Sequence, residues 1–343
     1  MKRSVKIQNN PLFRTPYLFS VVVLSTLTAF AEDWPQFRGP NQNGISSETG
    51  WNTDWASSEP TIAWRARLGA GYSSFSVSDG KVYTMGHVDG TDVLYCFDAK
   101  TGDEVWRYEY NAEIRDKQHE GGPASTPSID GDKVYTASRD GRLFCLNKNN
   151  GTVIWEKNMT EAVNAKIPTW AFAGSPIVWN QYVVIDVGRT VAMDKETGDI
   201  VWKSEDYGSA YSTPVPMDLN GRAAFASFPE FGLVILDAKD GSEICRHEWE
   251  TNYGVNATMP LVIGNKVFIS SGYNRGCALI EIADGSANVL WENTNMRNHM
   301  NPCVLYEGYL YGFDDKDLAC LDLKTGETKW SEGGLGKGSL ILY

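Results

Sequence analysis

Four histidines are the side chains of this sequence best suited to metal binding or proton transfer. They are His87, His119, His247 and His299. No two of them form a His-x-His or His-x-x-x-His pair, the spacings that bring two imidazoles onto one metal ion. The sequence therefore predicts no histidine-based metal site.

Motifs for nucleophilic or phosphate chemistry are missing from the sequence as well. No Gly-x-Ser-x-Gly element holds a serine on a sharp turn, and no phosphate-binding loop is present. The stretch GGLGKGS at 333–339 resembles a Gly-rich phosphate loop, but it lacks the spacing and precedes a strand pattern instead of a helix. We interpret it as a connection between two repeats.

The acidic side chains that recur at a fixed position belong to turns. An Asp-x-x-x-Gly pattern returns along the chain at Asp98, Asp194, Asp237 and Asp322, with Asn147 in one copy. Asp or Asn at this position accepts hydrogen bonds from N–H groups of its own turn, and the glycine supplies a positive φ. Recurrence in copy after copy favours this turn role over a ligand role.

These turns belong to a repeat that extends over most of the chain. Six copies align, from CFDAKTGDEVW at 96–106 to CLDLKTGETKW at 320–330, at a period of about 44 residues. Each copy contains four short apolar segments separated by turn residues, as in ASTPSI, KVYTAS, RLFCLN and TVIWEK. This pattern predicts four-stranded antiparallel sheets, the blades of a β-propeller, with no room for long helices.

A tryptophan after each turn is predicted to wedge between neighbouring sheets. A buried indole removes about 150–250 Å² from water, worth roughly 4–6 kcal/mol gross. In the fourth copy Cys245 fills this slot and Trp249 follows it, so either Trp249 substitutes or this joint is the weakest in the ring. The predicted docking residues are Trp64, Trp106, Trp155, Trp202, Trp291 and Trp330.

The six cysteines fall into two groups. Cys96, Cys145 and Cys320 occupy one repeat position that holds Ala, Ile or Leu in the other copies, so we interpret them as buried packing residues. The remaining three are Cys245, Cys277 and Cys303, and the sequence leaves open one disulfide among them.

Residues 1–31 have the features of an export signal. Basic residues precede an apolar run over 17–30, and Ala-Phe-Ala at 29–31 supplies a cleavage pattern before Glu32. The run is shorter than the roughly 20 residues that span a bilayer, and no later stretch is apolar enough to do so. The net charge of −12 argues against a nucleic-acid partner. The sequence thus predicts a periplasmic or secreted protein.

The repeat also carries a family resemblance. The pattern [Ala/Cys]-x-Asp-x-x-Thr-Gly-x-x-x-Trp, closely matched at 96–106, 192–202 and 320–330, resembles the tryptophan-docking motif of the pyrroloquinoline-quinone (PQQ) repeat superfamily of β-propellers. The opening DWPQFRGPNQNG at 33–44 is similar to the start of its secreted bacterial members. The resemblance implies an all-β propeller over 61–343, preceded by an N-terminal arm over 32–60.

Blade number follows partly from the repeats and partly from the resemblance. The chain has six complete repeats and the start of a seventh, whereas members of the superfamily are typically eight-bladed. The segment TIAWRARLG at 61–69 looks like a fourth strand without the three before it, which in closed propellers completes the last blade. By this resemblance more repeats would follow residue 343, so we expect the chain to be truncated.

Two departures from the superfamily affect the functional expectation. Its quinoprotein alcohol dehydrogenases carry adjacent cysteines beside the cofactor and a calcium-binding Glu/Asn/Asp set, neither of which matches this sequence. Its BamB outer-membrane assembly lipoproteins carry a lipidated cysteine after the signal, whereas the first cysteine here is Cys96, so no lipid anchor is expected. We therefore expect a non-catalytic scaffold of the cell envelope without a cofactor. The alternative is an alcohol dehydrogenase that uses PQQ with calcium.

Loops between consecutive repeats are the place where the sequence predicts binding. In propellers the loops from the fourth strand of one blade to the first strand of the next surround one end of the axis. The candidate contacts in these loops are His119, Trp170, Tyr211, Asn256 and His299. We expect a protein or small-ligand partner there, and ordinary loop packing is the alternative role for each residue.

Overall fold

The computed structural model describes residues 32–50, 52, 54–114 and 119–343. Within these ranges 24 strands form six antiparallel sheets, each built from four strands that follow one another along the chain. The predicted all-β architecture of four-stranded repeats is confirmed. The predicted export signal over 1–31 lies outside the described residues.

The first three sheets cover the chain up to Lys203. Sheet 1 comprises β1 (Ser76–Ser78), β2 (Lys81–Val88), β3 (Thr91–Asp98) and β4 (Glu104–Asn111). Sheet 2 comprises β5 (Ser128–Asp130), β6 (Lys133–Ala137), β7 (Arg142–Asn147) and β8 (Val153–Asn158). Sheet 3 comprises β9 (Ile177–Trp179), β10 (Tyr182–Asp186), β11 (Thr190–Asp194) and β12 (Ile200–Lys203).

The last three sheets continue in the same way. Sheet 4 comprises β13 (Val215–Leu219), β14 (Arg222–Ser227), β15 (Gly232–Asp237) and β16 (Glu243–Glu248). Sheet 5 comprises β17 (Leu261–Ile263), β18 (Lys266–Ser271), β19 (Gly276–Ala283) and β20 (Ser286–Asn293). Sheet 6 comprises β21 (Val304–Tyr306), β22 (Tyr309–Asp314), β23 (Asp317–Asp322) and β24 (Thr328–Glu332).

In the part of the chain that the structure describes, helical structure is limited to two short loop elements. They are the α-helix α1 (Met159–Ala162) and a 3-10 turn at Asn252–Gly254. None of the helices in the described ranges has the length and apolar character needed to cross a membrane.

The recurring aspartates hold the turn between the third and fourth strands. In sheet 1 the carboxylate of Asp98 accepts hydrogen bonds from the N–H groups of Lys100 and Thr101, both at 2.9 Å. The Thr101 N–H is the main cause of a lowered pKa for this carboxyl. Gly102 has a φ of +75°, and its N–H donates to the Asp98 carbonyl at 2.9 Å. The turn interpretation is therefore confirmed for this copy, with the glycine needed for its positive φ.

Cysteines of the third strands lie in register with the docking tryptophans. Cys96 is opposite Trp106 on β4 and opposite Tyr83 on β2. Cys145 and Cys320 occupy the equivalent places in their sheets. All six cysteines are buried and free, so the packing role is confirmed and the disulfide left open above is not formed.

Five indoles reach the turn of the following sheet. In each case the indole N–H donates to a main-chain carbonyl of that turn at 2.9–3.1 Å. The pairs are Trp64–Ala99, Trp106–Lys148, Trp155–Lys195, Trp202–Ala238 and Trp291–Leu323. Trp330 differs, because it is 44% exposed and its indole N–H has no acceptor in the described part of the chain. How much these contacts stabilise the ring stays a prediction.

The joint between sheets 4 and 5 uses a different tryptophan. Trp249 is fully buried, and its indole N–H donates to the Ser271 hydroxyl at the end of β18, at 3.1 Å. The Arg275 guanidinium stacks 3.4 Å from the centre of the Trp249 ring. Trp249 therefore joins the two sheets from further along the chain, but it does not cover the turn at Gly285, and a weaker joint here stays a prediction.

The strand predicted over 61–69 is not formed. These residues pair with no strand, because no third strand of the same sheet lies beside them among the described residues. Trp64 nevertheless reaches the turn of sheet 1. At the other end of the chain, Leu342 makes a single parallel bridge with Ile45.

The first strands of the sheets line the centre of the ring, where β1 neighbours β5, β5 neighbours β9 and β13 neighbours β17. Main-chain N–H groups before these strands donate to hydroxyls of the next sheet. Ser74 donates to Thr126 at 3.2 Å, Thr126 to Ser175 at 2.9 Å and Ser175 to Thr213 at 2.9 Å. This line of hydroxyls fixes the first four sheets relative to one another.

Candidate functional site

The two ends of the ring carry different sets of loops. The loops from a fourth strand to the next first strand, together with those between second and third strands, form one end, which we call the mouth. The other end, which we call the turn end, carries the remaining hairpin turns of each sheet. The mouth loops after sheets 1 to 5 cover 112–127, 159–176, 204–214, 249–260 and 294–303, and 115–118 of the first lie outside the described residues.

His119 lies at the mouth against a tyrosine from another loop. Its ring and that of Tyr72 meet edge to face with centroids 5.5 Å apart. The Nδ1 atom of His119 accepts a hydrogen bond from the Gly121 N–H at 3.0 Å. Both side chains are exposed, so they are available to a partner.

Trp170 and Tyr211 form a second aromatic pair, with ring centroids 6.1 Å apart. Trp170 is partly exposed, whereas Tyr211 is buried beneath it. Burial raises the pKa of the Tyr211 hydroxyl, which stays neutral at physiological pH. The pair therefore presents the apolar ring of Trp170 at the surface, packed on the uncharged Tyr211.

His299 belongs to a row of three rings. Its ring lies 4.6 Å from that of Tyr273, which lies 5.3 Å from that of Tyr253. Burial, with a smaller contribution from the Lys337 ammonium, lowers the pKa of His299. The neutral imidazole can therefore accept a hydrogen bond through Nδ1 from Lys337, whose Nζ lies 2.6 Å away.

Asn256 does not reach the mouth surface, because it is only 1% exposed. Its side-chain oxygen accepts hydrogen bonds from the hydroxyls of Thr251 and Ser271, both at 2.7 Å. Its amide nitrogen donates to the Pro229 carbonyl at 2.9 Å. The structure thus gives Asn256 a role in holding loops together, the alternative kept open by the sequence, while the other four candidates line the mouth.

Exposed apolar side chains at the mouth include several that the sequence did not single out. Tyr72, Phe75, Tyr253 and Met300 are each more than half exposed, and Tyr253 reaches 77%. Tyr253 also has a φ of +67°, an unusual conformation for a tyrosine. The only feature of the sequence that pointed to this conformation of Tyr253 was its position before Gly254 in the loop.

A buried charged group joins sheets 1 and 2 on the mouth side. The carboxylate of Asp92 lies 2.7 Å from Nδ1 of His87 and accepts a hydrogen bond from Nη2 of Arg139 at 2.8 Å. All three side chains are buried. With its carboxylate engaged by both neighbours, this group is a structural contact between sheets and not an open reaction centre.

Asp186 is a buried carboxyl near the contact between sheets 3 and 4. Its Oδ1 accepts a hydrogen bond from the Gly188 N–H at 3.0 Å, whereas Oδ2 has no partner among the described residues. Burial raises the pKa of Asp186 to about 6. The ionised form is therefore costly in the folded protein.

The centre of the ring contains part of the N-terminal arm. Residues 32–48, which we call the axial loop, hydrogen-bond to the first strands β1 and β5 and to residues just before β21. In a propeller the first strands lie nearest the axis, so the axial loop follows the inner edges of β1 and β5.

The residues present do not fit a quinone with calcium on the axis. No group of three or more His, Cys, Asp or Glu side chains in the described ranges could hold a metal ion.

Comparison with protein families gives one match over most of the chain. The model described as outer membrane protein assembly factor BamB matches residues 45–123 and 115–332. The outer membrane protein assembly factor BamB of Escherichia coli (strain K12) is 23% identical over 307 residues, covering 73% of this chain and 75% of that protein.

Similarity also extends to an enzyme and to a solved structure. The quinoprotein ethanol dehydrogenase of Pseudomonas aeruginosa is 29% identical over 145 residues, and the match covers 37% of this chain but only 21% of that enzyme. The crystal structure of BamB from Moraxella catarrhalis superposes with a TM-score of 0.59 at 19% identity, covering 79% of this chain and 77% of that one. The superposition supports the propeller fold.

Proposed function

The chain belongs to the family of outer membrane protein assembly factor BamB, and we propose that it is an exported, non-catalytic propeller that docks a protein partner in the cell envelope. The docking surface of this proposal is the mouth. The relatives named as assembly factors support a scaffold role, because assembly of a membrane protein requires binding to other proteins.

The chemical difference between the two ends carries this proposal. At the mouth, aromatic rings and a methionine stand in solvent, among them Tyr72, Tyr253 and Met300. The turns at the other end expose mainly Asp, Asn, Lys and Glu. Aromatic residues and methionine are enriched in the centres of protein interfaces, whereas lysine and glutamate are depleted there. The mouth therefore has the composition of a protein-docking surface.

A protein partner fits the mouth better than a small ligand does. Small molecules bind in concave sites that cover most of their surface. Tyr253 is instead 77% exposed, and Met300 is 59% exposed. A cavity of about 620 Å³ is lined by Arg65, Arg107 and neighbouring residues beside sheet 1, away from these mouth residues.

Site-specific cross-linking tests the docking surface. A photoreactive phenylalanine analogue placed at Tyr253 is expected to capture an envelope protein when the chain is expressed with its signal in its bacterial host. The same analogue at Lys239, an exposed residue of the turn end, is the matched control. Equal capture at both positions, or none at Tyr253 in the folded protein, would contradict the proposal.

The quinoprotein alternative has its own test, supported only by the partial similarity to the ethanol dehydrogenase. Purified protein is incubated with PQQ and Ca²⁺, and quinone binding and dye-linked alcohol oxidation are measured. We expect neither, because no group of three or more His, Cys, Asp or Glu side chains in the described ranges could hold the calcium ion. Tight binding with turnover would replace the scaffold proposal.

A further inference from the structure

The axial loop returns on itself at the turn end of the ring. Its two ends are joined by hydrogen bonds from the Glu32 N–H to the Glu48 carboxylate at 2.8 Å and from the Ser47 N–H to the Glu32 carboxylate at 2.9 Å. At its tip, the Gln42 N–H donates to the Gly39 carbonyl at 3.1 Å. These contacts make it a closed loop and not an extended tail.

The outgoing part of the axial loop binds sheets 1 and 2. Trp34 and Val77 of β1 exchange two main-chain hydrogen bonds, both at 2.8 Å. The carbonyl of Pro35 accepts a hydrogen bond from the Ile129 N–H of β5 at 2.7 Å. Two neighbouring first strands are therefore attached to adjacent residues of the loop.

The tip of the axial loop binds sheet 6 through Arg38. Its Nη2 donates to the Cys303 carbonyl and to the Asn43 carbonyl, both at 2.7 Å. Its Nη1 donates to the Pro302 carbonyl at 3.4 Å, and its Nε donates to the Gln42 carbonyl at 3.3 Å. One guanidinium thus connects the loop tip to the chain just before β21.

Arg38 makes these contacts without a carboxylate partner in the described ranges. The side chain is only 8% exposed, and burial lowers its pKa to about 10, so it remains charged at neutral pH. A buried cation without an anion is costly unless its donors are satisfied. Here four carbonyls, from the loop itself and from the chain before β21, accept from four of its five N–H donors, a planar set of donors that a lysine ammonium does not offer.

The returning part of the axial loop binds the segment after sheet 6. The Ser46 N–H donates to the Leu342 carbonyl at 2.8 Å, and the Leu342 N–H donates to the Gly44 carbonyl at 3.0 Å. In the described residues, no hydrogen bond joins a strand of sheet 1 directly to a strand of sheet 6. The hydrogen-bonded link between these two sheets therefore runs through the axial loop.

We propose that the axial loop is an internal clasp that holds sheets 1, 2 and 6 in one ring, with Arg38 as the residue that fastens it. The clasp concerns the centre of the ring and does not depend on the docking role proposed for the mouth. Its test measures the ring itself and not partner binding.

Hydrogen exchange in the unaltered protein tests whether the clasp opens as one unit. The relevant amides are those of Val77, Ile129, Ser46 and Leu342, each of which donates across the clasp. We expect these amides to share one opening equilibrium as denaturant is raised, ahead of the amides of β11 in sheet 3. Independent exchange of the Val77 and Leu342 amides would overturn the proposal.

Replacement of the fastening residue tests the role of Arg38. Loss of its charge-assisted hydrogen bonds in Arg38→Met leaves buried carbonyls without donors, so we expect the Val77 and Leu342 amides to exchange about tenfold to a hundredfold faster. Arg65→Met is the matched control, because Arg65 is exposed and has no hydrogen-bond partner in the described ranges. It should leave both rates unchanged.

Two results in this variant pair would count against the clasp. Unchanged exchange in Arg38→Met would show that Arg38 fastens nothing. Equal acceleration of the β11 amides would indicate general destabilisation instead of a local opening. If Arg38→Met does not fold, the exchange experiment on the unaltered protein decides the question alone.

Discussion

Replacing Trp202 by alanine measures what an inter-sheet indole contributes. Trp202 is 7% exposed, lies against Gly241 of the next sheet and donates to the Ala238 carbonyl at 3.0 Å. Trp330 occupies the same slot of its repeat, but it is 44% exposed and has no acceptor within the described residues. Trp330→Ala is therefore a control, because it makes the same chemical change at a position with little inter-sheet contact to lose.

The expected losses follow from these contacts. Removal of a buried indole costs about 3–5 kcal/mol through lost burial and the cavity left behind. The Ala238 carbonyl loses its donor as well, which adds about 1 kcal/mol. Trp330 already has nearly half its side chain in solvent, so its removal should cost roughly 1–2 kcal/mol. We expect the two variants to differ by about 3 kcal/mol in free energy of unfolding.

Urea unfolding followed by far-UV circular dichroism provides the measurement. The comparison requires an unchanged dependence of the unfolding free energy on urea, since a change in this slope would indicate that the ring no longer unfolds as one unit. Trp202→Phe separates the hydrogen bond from the ring contact and should cost less than the alanine variant. Losses within about 0.5 kcal/mol of each other for Trp202→Ala and Trp330→Ala would refute the docking explanation.

Two further predictions concern buried polar side chains. Asp186 has a raised pKa in the folded protein, so the native state keeps its proton while the unfolded chain releases it, and stability falls as pH rises from about 4 to 6. In urea titrations, Asp186→Asn should therefore raise the free energy of unfolding by up to roughly 3 kcal/mol relative to the parent at pH 8, but by little at pH 4. An equal increase at both pH values would contradict this explanation. Asn256→Ala should lose roughly 3 kcal/mol in the same assay, because it leaves the hydroxyls of Thr251 and Ser271 and the Pro229 carbonyl unpaired. A loss below about 1 kcal/mol would mean that water replaces these bonds.

The repeat made much of the fold predictable from the sequence. Asp98 and Gly102 identify a turn through local hydrogen bonding and a positive φ, both of which depend on residues close in sequence. Periodicity then places the same turn in the other copies. The slot shared by Cys96 and aliphatic residues identified a packing position for the same reason.

Contacts between distant segments could not be predicted in this way. Arg38 binds the Cys303 carbonyl across 265 positions, and residues 32–60 carry no repeat that would reveal a partner. The sequence predicts Asn256 at the mouth because its loop is there. The direction of its side chain depends on hydrogen bonds from the hydroxyls of Thr251 and Ser271, which only the folded structure brings together. The segment 61–69 has the residues of a strand, yet strand pairing needs a neighbour that the sequence pattern alone does not supply.

The joint between sheets 4 and 5 has a consequence for protein engineering. In the other sheets the turn between the third and fourth strands lies under an indole from its neighbour, as Gly102 lies under Trp64. Sheet 4 offers Cys245 at that place, so a Cβ at Gly285 would meet no atom within 4 Å, and the hairpin there is a two-residue turn between Ala283 and Ser286. A guest peptide spliced into this turn would displace no docked indole, which makes the turn a suitable insertion point for an affinity tag or a fluorescent reporter.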